Sequence, residues 1–311
     1  MLLSRAITLV ESTLEEDQKL AGQVMEGILP FAGNSSRIGI TGVPGVGKST
    51  FIENFGRLIV DKGLKLAVLA VDPSSQHSHG SILGDKTRME SLSSDKRAYI
   101  RPSPAAKALG GVSGRTREAM LLCEAAGFEV VLVETVGVGQ SETAVRGMVD
   151  FFLLLMLAGA GDELQGIKKG IIEMCDALVI NKSDGTNIEA AKRAKRDYAN
   201  ALHLFQAKEN GWNPKVLTCS GLEGLGLGEI WEVVEQYRVS MQGNGFWEYN
   251  RQAQRLQWFD DHIKYLLENS FYQNQKIKQQ LAEVLPEIQS GRLSPIKQAE
   301  ELVQGFVKHT K

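Results

Sequence analysis

The sequence predicts an α/β fold: a mostly parallel sheet with helices on both faces, plus helical extensions at the N- and C-termini. Three observations carry that prediction. Apolar, β-branched runs alternate with helix-like stretches from Arg37 to about Tyr237, the pattern of parallel strands joined by right-handed crossovers. A glycine-rich loop, Gly42 to Thr50, separates the first apolar run from the first of those helices. The run Phe151 to Ala160 is wholly apolar but too short for a bilayer, which needs about twenty residues. A strand buried on both faces of a parallel sheet explains it.

Taken in order, residues 1–34 carry helical periodicity in Ala6, Leu9, Val10, Leu14, Leu20, Val24, Ile28 and Leu29, until Gly33-Asn34-Ser35-Ser36 breaks it. The central domain, residues 35–240, offers seven strands: Ile38–Thr41, Leu66–Val71, Ala98–Arg101, Val130–Glu134, Phe152–Leu157, Leu178–Asn181 and Lys215–Thr218. Ligands of such sheets gather at the carboxyl ends of the strands, and the polar motifs do follow the apolar runs. Residues 241–311 turn Gln-, Lys- and Glu-rich. Spaced apolar positions (Leu256, Phe259, Ile263, Leu266, Leu267) predict a helical segment that must pack on something, divided at Pro286 and Pro295.

At 311 residues with a formal charge of −2 and a pI near 6.3, the chain gives no electrostatic reason to expect nucleic acid or an anionic membrane as partner. Cys123, Cys175 and Cys219 follow no metal or redox spacing and read as buried thiols. The N-terminus shows neither a secretory signal nor a transit peptide, so a cytoplasmic location is expected.

Gly42-Val43-Pro44-Gly45-Val46-Gly47-Lys48-Ser49-Thr50 matches the G-x-x-x-x-G-K-[ST] phosphate-binding loop in full and sits between a strand and a helix, as that motif requires. The glycines let backbone N–H groups turn toward phosphate oxygens. Lys48 would neutralise the β- and γ-phosphates, and the Ser49 hydroxyl would hold Mg²⁺. After the sixth strand, Asn181-Lys182-Ser183-Asp184 matches the N-K-x-D guanine-reading motif. A carboxylate at Asp184 accepts from the ring N–H and the exocyclic amine of guanine, a donor pair that adenine lacks. Asn181 would tie the base loop to the phosphate loop, and the Lys182 stem would cover the base. Cys219-Ser220-Gly221 would offer backbone N–H groups to the guanine carbonyl. Glu134-Thr135-Val136-Gly137 holds the D-x-x-G position with Glu for Asp: its carboxylate would reach Mg²⁺, and the Gly137 N–H would sense the γ-phosphate. Asp72 or Asp85 could complete the oxygen shell of the metal, although Asp85 also suits a helix cap near Lys86.

Four longer stretches, Ala70–Ser75, Gly80–Met89, Glu134–Glu142 and Gly161–Gly170, closely resemble the MeaB/ArgK GTPases, the group that includes the methylmalonic aciduria type A proteins. The resemblance covers nearly the whole chain and implies a P-loop NTPase sheet of the SIMIBI type. It also implies a homodimeric GTPase chaperone of adenosylcobalamin-dependent methylmalonyl-CoA mutase, or a related mutase, that gates cofactor loading and helps remove damaged cofactor. It assigns Asp72, Asp85 and Glu134 to magnesium coordination and hydrolysis of GTP to GDP. The stretch holding Asp162, Glu163, Gln165 and Lys168 becomes a third switch that meets the mutase, and the C-terminal helices become a dimerisation segment. Gln76-His77-Ser78-His79-Gly80 departs from the usual Thr-Gly-Gly-type turn. Two His at i and i+2 without Cys fit a solvated loop better than a metal site.

Val138 stands where Ras-like enzymes place a water-orienting Gln, and Gln140 follows two residues later, so slow intrinsic turnover is expected. Lys168, Arg88, Arg115 and Arg117 are internal candidates for the charge that would accelerate it. Two other functions fit parts of the sequence: a kinase serving periplasmic amino-acid transport, which the guanine motif opposes, and a metal-insertion GTPase.

Overall fold

The computed structural model describes residues 2–12, 14–72, 89–104, 109–135, 141–159, 169–203 and 208–309. Two helices, α1 (Leu2–Glu11) and α2 (Glu15–Ile28), precede a 3-10 turn (Leu29–Phe31) and β1 (Ser36–Gly42). Then α3 (Lys48–Asp61) leads to β2 (Leu66–Asp72), α4 (Glu90–Ser94) to β3 (Ala98–Pro104), and α5 (Leu109–Ala125) to β4 (Val130–Thr135). The alternation continues through α6 (Ser141–Arg146), β5 (Phe151–Leu157), α7 (Lys169–Met174), β6 (Ala177–Asn181), α8 (Ile188–His203) and β7 (Lys215–Thr218). After it come α9 (Leu227–Gly243), α10 (Phe246–Gln273), α11 (Gln275–Gln289) and α12 (Pro295–His309).

The seven strands pair in the order β3-β2-β4-β1-β5-β6-β7, every pair parallel. With β1 central, the loop that follows it emerges in the middle of the carboxyl edge. Alternate residues of each strand feed two cores, one on each face of the sheet. Ile38, Ile40, Val68, Leu132, Phe151 and Leu153 pack with Phe51 and Phe55 of α3 and Tyr237 of α9. Leu69, Val131, Val133, Phe152 and Leu154 pack with Ile7 of α1 and Met120 of α5. The apolar run of β5 is therefore buried on both sides. Among the described residues no helix is long and apolar enough to cross a membrane.

The N-terminal periodicity resolves into two helices, because Ser12 ends the first: its hydroxyl donates to Asp17 Oδ2 at 2.5 Å and accepts from Leu14 N at 3.2 Å. In the tail, Pro286 does not divide the helices as its sequence suggested. It lies inside α11, near its end, where it forfeits one ladder bond while its own carbonyl still accepts from Ser290 N at 3.0 Å. The breaks fall instead at Asn274, whose Oδ1 accepts from Lys276 N and Ile277 N at 3.0 and 3.2 Å, and around Gly291.

The chain forms two compact units, Met1–Arg255 and Leu256–Lys311. In the second, the rings of Phe271 and Phe306 meet edge-on at 5.4 Å. In the first, a buried ionic cluster fixes the chain entering the amino edge of the sheet. Arg251 Nε and Nη2 donate to Asp150 Oδ1 and Oδ2 at 2.8 and 2.7 Å, and Nη2 also donates to Ser35 O at 2.6 Å. Arg37 donates through Nε and Nη2 to Glu124 at 2.7 and 3.0 Å. Elsewhere on α5, burial pushes the Glu118 carboxyl from 4.5 up to about 7, against the opposing charge of Arg115.

Replacing Arg251 with Met strands a buried Asp150 and is expected to cost about 3–5 kcal/mol in urea unfolding. Arg255→Ala, which opens an exposed pair with Glu248, should cost less than about 1 kcal/mol. Glu118 gives a pH dependence. Folded chains hold a proton there that unfolded chains release, so stability falls as pH rises from 4.5 to about 7. Glu118→Gln should flatten that slope and exceed the parent's unfolding midpoint at pH 8.

Candidate functional site: a phosphate loop clamped to a base loop

The site grows from the carboxyl ends of β1, β4, β6 and β7. Gly42 closes β1 where a Cβ would stand 2.5 Å from the backbone oxygen of Leu155, so only glycine lets the loop leave the sheet there. Gly47 adopts a left-handed φ of 91° and opens α3 with its Cα face against Asn181. Val46 is buried beneath the loop, Pro44 and Gly45 stand exposed at its tip, and Val43, Lys48 and Ser49 are half-buried. Thr50 follows on the exposed side of α3. Lys48 Nζ donates to Gly42 O at 2.8 Å and more distantly to Val43 O at 3.4 Å. Burial lowers its pKa, while the carboxylates of Glu134 and Glu142 act in the opposite direction, so both acids lie within electrostatic reach of the ammonium.

At the end of β6, Asn181 joins three segments. Its Nδ2 donates to Val46 O in the phosphate loop at 2.8 Å, and its Oδ1 accepts from Gly221 N at 2.9 Å and from Cys219 Sγ at 3.3 Å. Lys182 takes a left-handed φ of 56°, and its Nζ donates to Gly45 O at 2.9 Å. Ser183 N donates to Cys219 O at 2.9 Å. Asp184 starts a 3-10 turn without capping it through its side chain; its Oδ2 instead accepts from Ser220 Oγ. Ser220 Oγ in turn accepts from Glu223 N at 3.1 Å. Asn181, Lys182, Asp184, Cys219, Ser220 and Gly221 thus form one hydrogen-bonded body with the phosphate loop. The Cys219 thiol, pushed up to about 12 by burial, takes part as a neutral donor.

Glu134 is half-buried at the end of β4, and next to it Thr135 Oγ1 donates to Thr41 Oγ1 at 2.8 Å, locking β4 to β1. The backbone of Asp72 ends β2 on the same edge. The Asp72 side chain lies outside the described residues, as do Asp85, Gly137, Val138, Gln140, His77 and His79. So do Asp162, Glu163, Gln165, Lys168 and Arg88. Of the candidate activating arginines, Arg117 is buried and donates through Nη2 to Gly147 O at 3.1 Å, which assigns it to the end of α6. Among the described residues no cluster of His, Cys, Asp and Glu could hold a metal ion by protein ligands alone.

Three participants escaped the sequence reading. Glu142 is almost fully buried in the first turn of α6. The Thr41–Thr135 hydroxyl pair is the second. The third is Asn54 of α3, which donates to Gly221 O at 2.7 Å. For Glu142, its place in the first turn of a helix after the Glu134–Gly137 motif was a usable signal. The other two depend on register between distant strands and loops.

Asn181→Ala would leave Val46 O and Gly221 N without their side-chain partner. Thermal unfolding should show a loss of about 1–3 kcal/mol, and nucleotide affinity should fall with it. A stability unchanged within error would contradict the clamp.

A family model described as methylmalonyl-CoA mutase-associated GTPase MeaB matches residues 3–276. GTPase ArgK of Escherichia coli (strain K12) is 47% identical over 305 residues, covering 97% of this chain and 92% of that protein. The mitochondrial methylmalonic aciduria type A homolog of Mus musculus is 44% identical over 314 residues, 98% of this chain and 76% of that protein. A crystal structure described as LAO/AO transport system kinase superposes with a TM-score of 0.76 at 41% identity, covering 98% of this chain and 92% of that one. With a phosphate loop, a guanine-type base loop and a match over most of its length, the chain belongs to the MeaB family of mutase-associated P-loop GTPases.

Proposed function

We propose that this protein binds and hydrolyses GTP and, as a homodimer in the cytoplasm, serves as a chaperone of an adenosylcobalamin-dependent mutase of the methylmalonyl-CoA mutase type. The observation that carries the nucleotide part is the Asn181 clamp together with the Asp184–Ser220 contact. Asp184 is an acceptor turned toward the base loop, which suits the paired donors of guanine and rejects adenine. The family match supports the mutase as partner.

In the proposed reaction the backbone N–H groups of Val43 and of residues 45–49 hold the phosphates, aided by the N-terminus of α3. Lys48 leaves the Gly42 and Val43 carbonyls to neutralise the β- and γ-phosphates. Mg²⁺ fits the donor set at this edge: the Ser49 hydroxyl and the Glu134 carboxylate are hard oxygen ligands, and Glu134 acts electrostatically on Lys48. Asp72 and Asp85 complete the proposed ligand set. The ion would supply charge neutralisation across the transferred phosphoryl oxygens. The Gly137 N–H reports the γ-phosphate, and with Val138 in place of a water-orienting Gln, turnover stays slow until a partner acts. Asp162, Glu163, Gln165 and Lys168 are the proposed contact to that partner. Where a charge is supplied, stimulation of about 10³- to 10⁵-fold is the expected scale.

The homodimer reading draws support from the second unit. Phe259, Ile263, Leu266 and Leu267 recur at helical spacing on α10, and each is exposed in the single chain. The name of the structural relative, a transport system kinase, favours a second reading in which ATP is the substrate. Calorimetry with Mg²⁺ separates the two. Tight GDP binding without detectable ADP binding is expected, followed by GTP turnover that rises on titration with the mutase. Equal or tighter ADP binding would replace the GTPase reading with the kinase one, and flat turnover across the mutase titration would remove partner activation.

A further inference from the structure

The central strand and its neighbour part company at the site. β1 and β4 pair from Ser36 with Val130 to Ile40 with Glu134, and among the described residues their ladder ends there. Beyond that point Thr41 and Gly42 continue against β5, opposite Leu154 and Leu155, while Thr135 continues against β2, opposite Val71. One side-chain bond takes the place of the next rung between β1 and β4: Thr135 Oγ1 donates to Thr41 Oγ1 at 2.8 Å. Both residues are buried, Thr135 completely, so water does not compete for this bond. Alternation fixes where the neighbouring side chains go. Ile40 packs with Phe51 on the α3 face, and its registered partner Glu134 shares that face, from which it acts on Lys48. The threonines lie on the opposite face, the one shared by Gly39, whose absent Cβ would meet Val145 of α6 and Val149.

We infer that Thr41 and Thr135 are a positioning pair for the metal side of the proposed reaction: by bridging β1 and β4 past the end of their ladder, they set the distance from the Glu134 carboxylate to Lys48 and Ser49. The inference rests on the magnesium reading above and deepens it. Thr41 immediately precedes Gly42, whose carbonyl accepts from Lys48 Nζ at 2.8 Å, and Thr135 immediately follows Glu134. The hydroxyl bond therefore ties together the two stretches of backbone that carry the phosphate loop and the acid. Neither threonine has to touch nucleotide or metal. Hydroxyls hold this spacing where an apolar pair would not, because the oxygens meet at 2.8 Å whereas carbon atoms stand off at about 3.5–4.0 Å. A widening of about 1 Å is large beside the near-ideal octahedral geometry that Mg²⁺ demands.

The test is calorimetry of GDP, with Mg²⁺ and with EDTA, on the full-length protein and four variants. Thr41→Val and Thr135→Val each strand the other hydroxyl, the double variant removes both, and Thr135→Ser keeps the donor. In the parent, Mg²⁺ should tighten GDP binding. That tightening should shrink by about three- to tenfold in both single variants and in the double variant, while affinity in EDTA stays at the parent's value. One hydrogen bond sets the ceiling, because bound metal could draw the strands back together at that cost. Thr135→Ser should keep the parent's response, and losing it would count against the pair. The double variant separates positioning from packing. Replacing both partners by apolar groups of the same shape is nearly neutral for stability, so its thermal midpoint should return to the parent's while its metal response does not. A double variant with the parent's response to Mg²⁺ means that the pair only holds the fold, and the inference fails. An equal loss in EDTA overturns it too, because the effect would then lie on the phosphate loop. A parent whose GDP affinity ignores Mg²⁺ removes the magnesium reading, and this inference falls with it. That failure shows in the parent, before any variant is made, and so is distinguishable from one confined to the variants.

Discussion

Because every strand of the sheet is parallel, every strand ends on the same edge, and each chemistry-bearing loop must leave from that edge. This constraint organises the molecule. β1 occupies the centre, so the phosphate loop is flanked by the end of β4 with Glu134 on one side, while the ends of β6 and β7 carry the base loops on the other. The register makes the juxtaposition specific: Ile40 pairs with Glu134, and Ile180 pairs with Thr218. Shifting any strand would move its terminal residue by about 3.3 Å, beyond hydrogen-bond range of its present partners. The two cores on either face hold that register by alternation, since a one-residue slip would turn each apolar set to the wrong face.

At that edge the bonds of Asn181 and Asn54 have a common character. Val46 O, Gly221 N and Gly221 O are all backbone groups. A loop has no ladder to satisfy its peptide groups, and buried ones left unpaired are costly. The side-chain amides therefore do two things at once: they satisfy orphaned peptides, and they fix the distance between the loop that follows β1 and the loop that follows β7. An amide suits this because it offers donor and acceptor from one rigid plane. A carboxylate at Asn181 would lose the donor to Val46 O and place a charge in a buried position.

Much of this was legible in the sequence. The seven strands appear where alternation and apolar runs placed them, displaced at their ends by at most two residues except β3, which runs three residues further, to Pro104, because hydrophobic pattern reports burial directly. The phosphate loop and Asn181–Asp184 were legible because the chemistry restricts residue type and spacing within one short stretch. What stayed hidden depends on contacts between distant segments. Asn54 is an unremarked polar position on an amphipathic helix until the base loop lands beside it. The Thr41–Thr135 bond requires knowing that β1 and β4 are neighbours although β2 and β3 intervene in sequence. Pro286 misled for the opposite reason: its local rule forfeits one ladder bond, and α11 continues past it to Gln289 all the same.

The electrostatics divide the edge into two unlike halves. On the base side the buried Cys219 thiol keeps its proton, the Asp184 carboxylate accepts from the Ser220 hydroxyl, and the Lys182 ammonium donates to Gly45 O. On the phosphate side the half-buried Lys48 ammonium lies within the field of two carboxylates, Glu134 and Glu142, and its hydrogen bonds go to carbonyl oxygens that an incoming polyanion would replace. Bringing phosphate to Lys48 also brings negative charge toward both acids, so the phosphate side must rearrange its charges or recruit a cation. In the proposed reaction, a switch driven by the γ-phosphate would have its leverage at Lys48, Glu134 and Glu142. The clamp at Asn181 gives the rest of the site a fixed frame against which that rearrangement works.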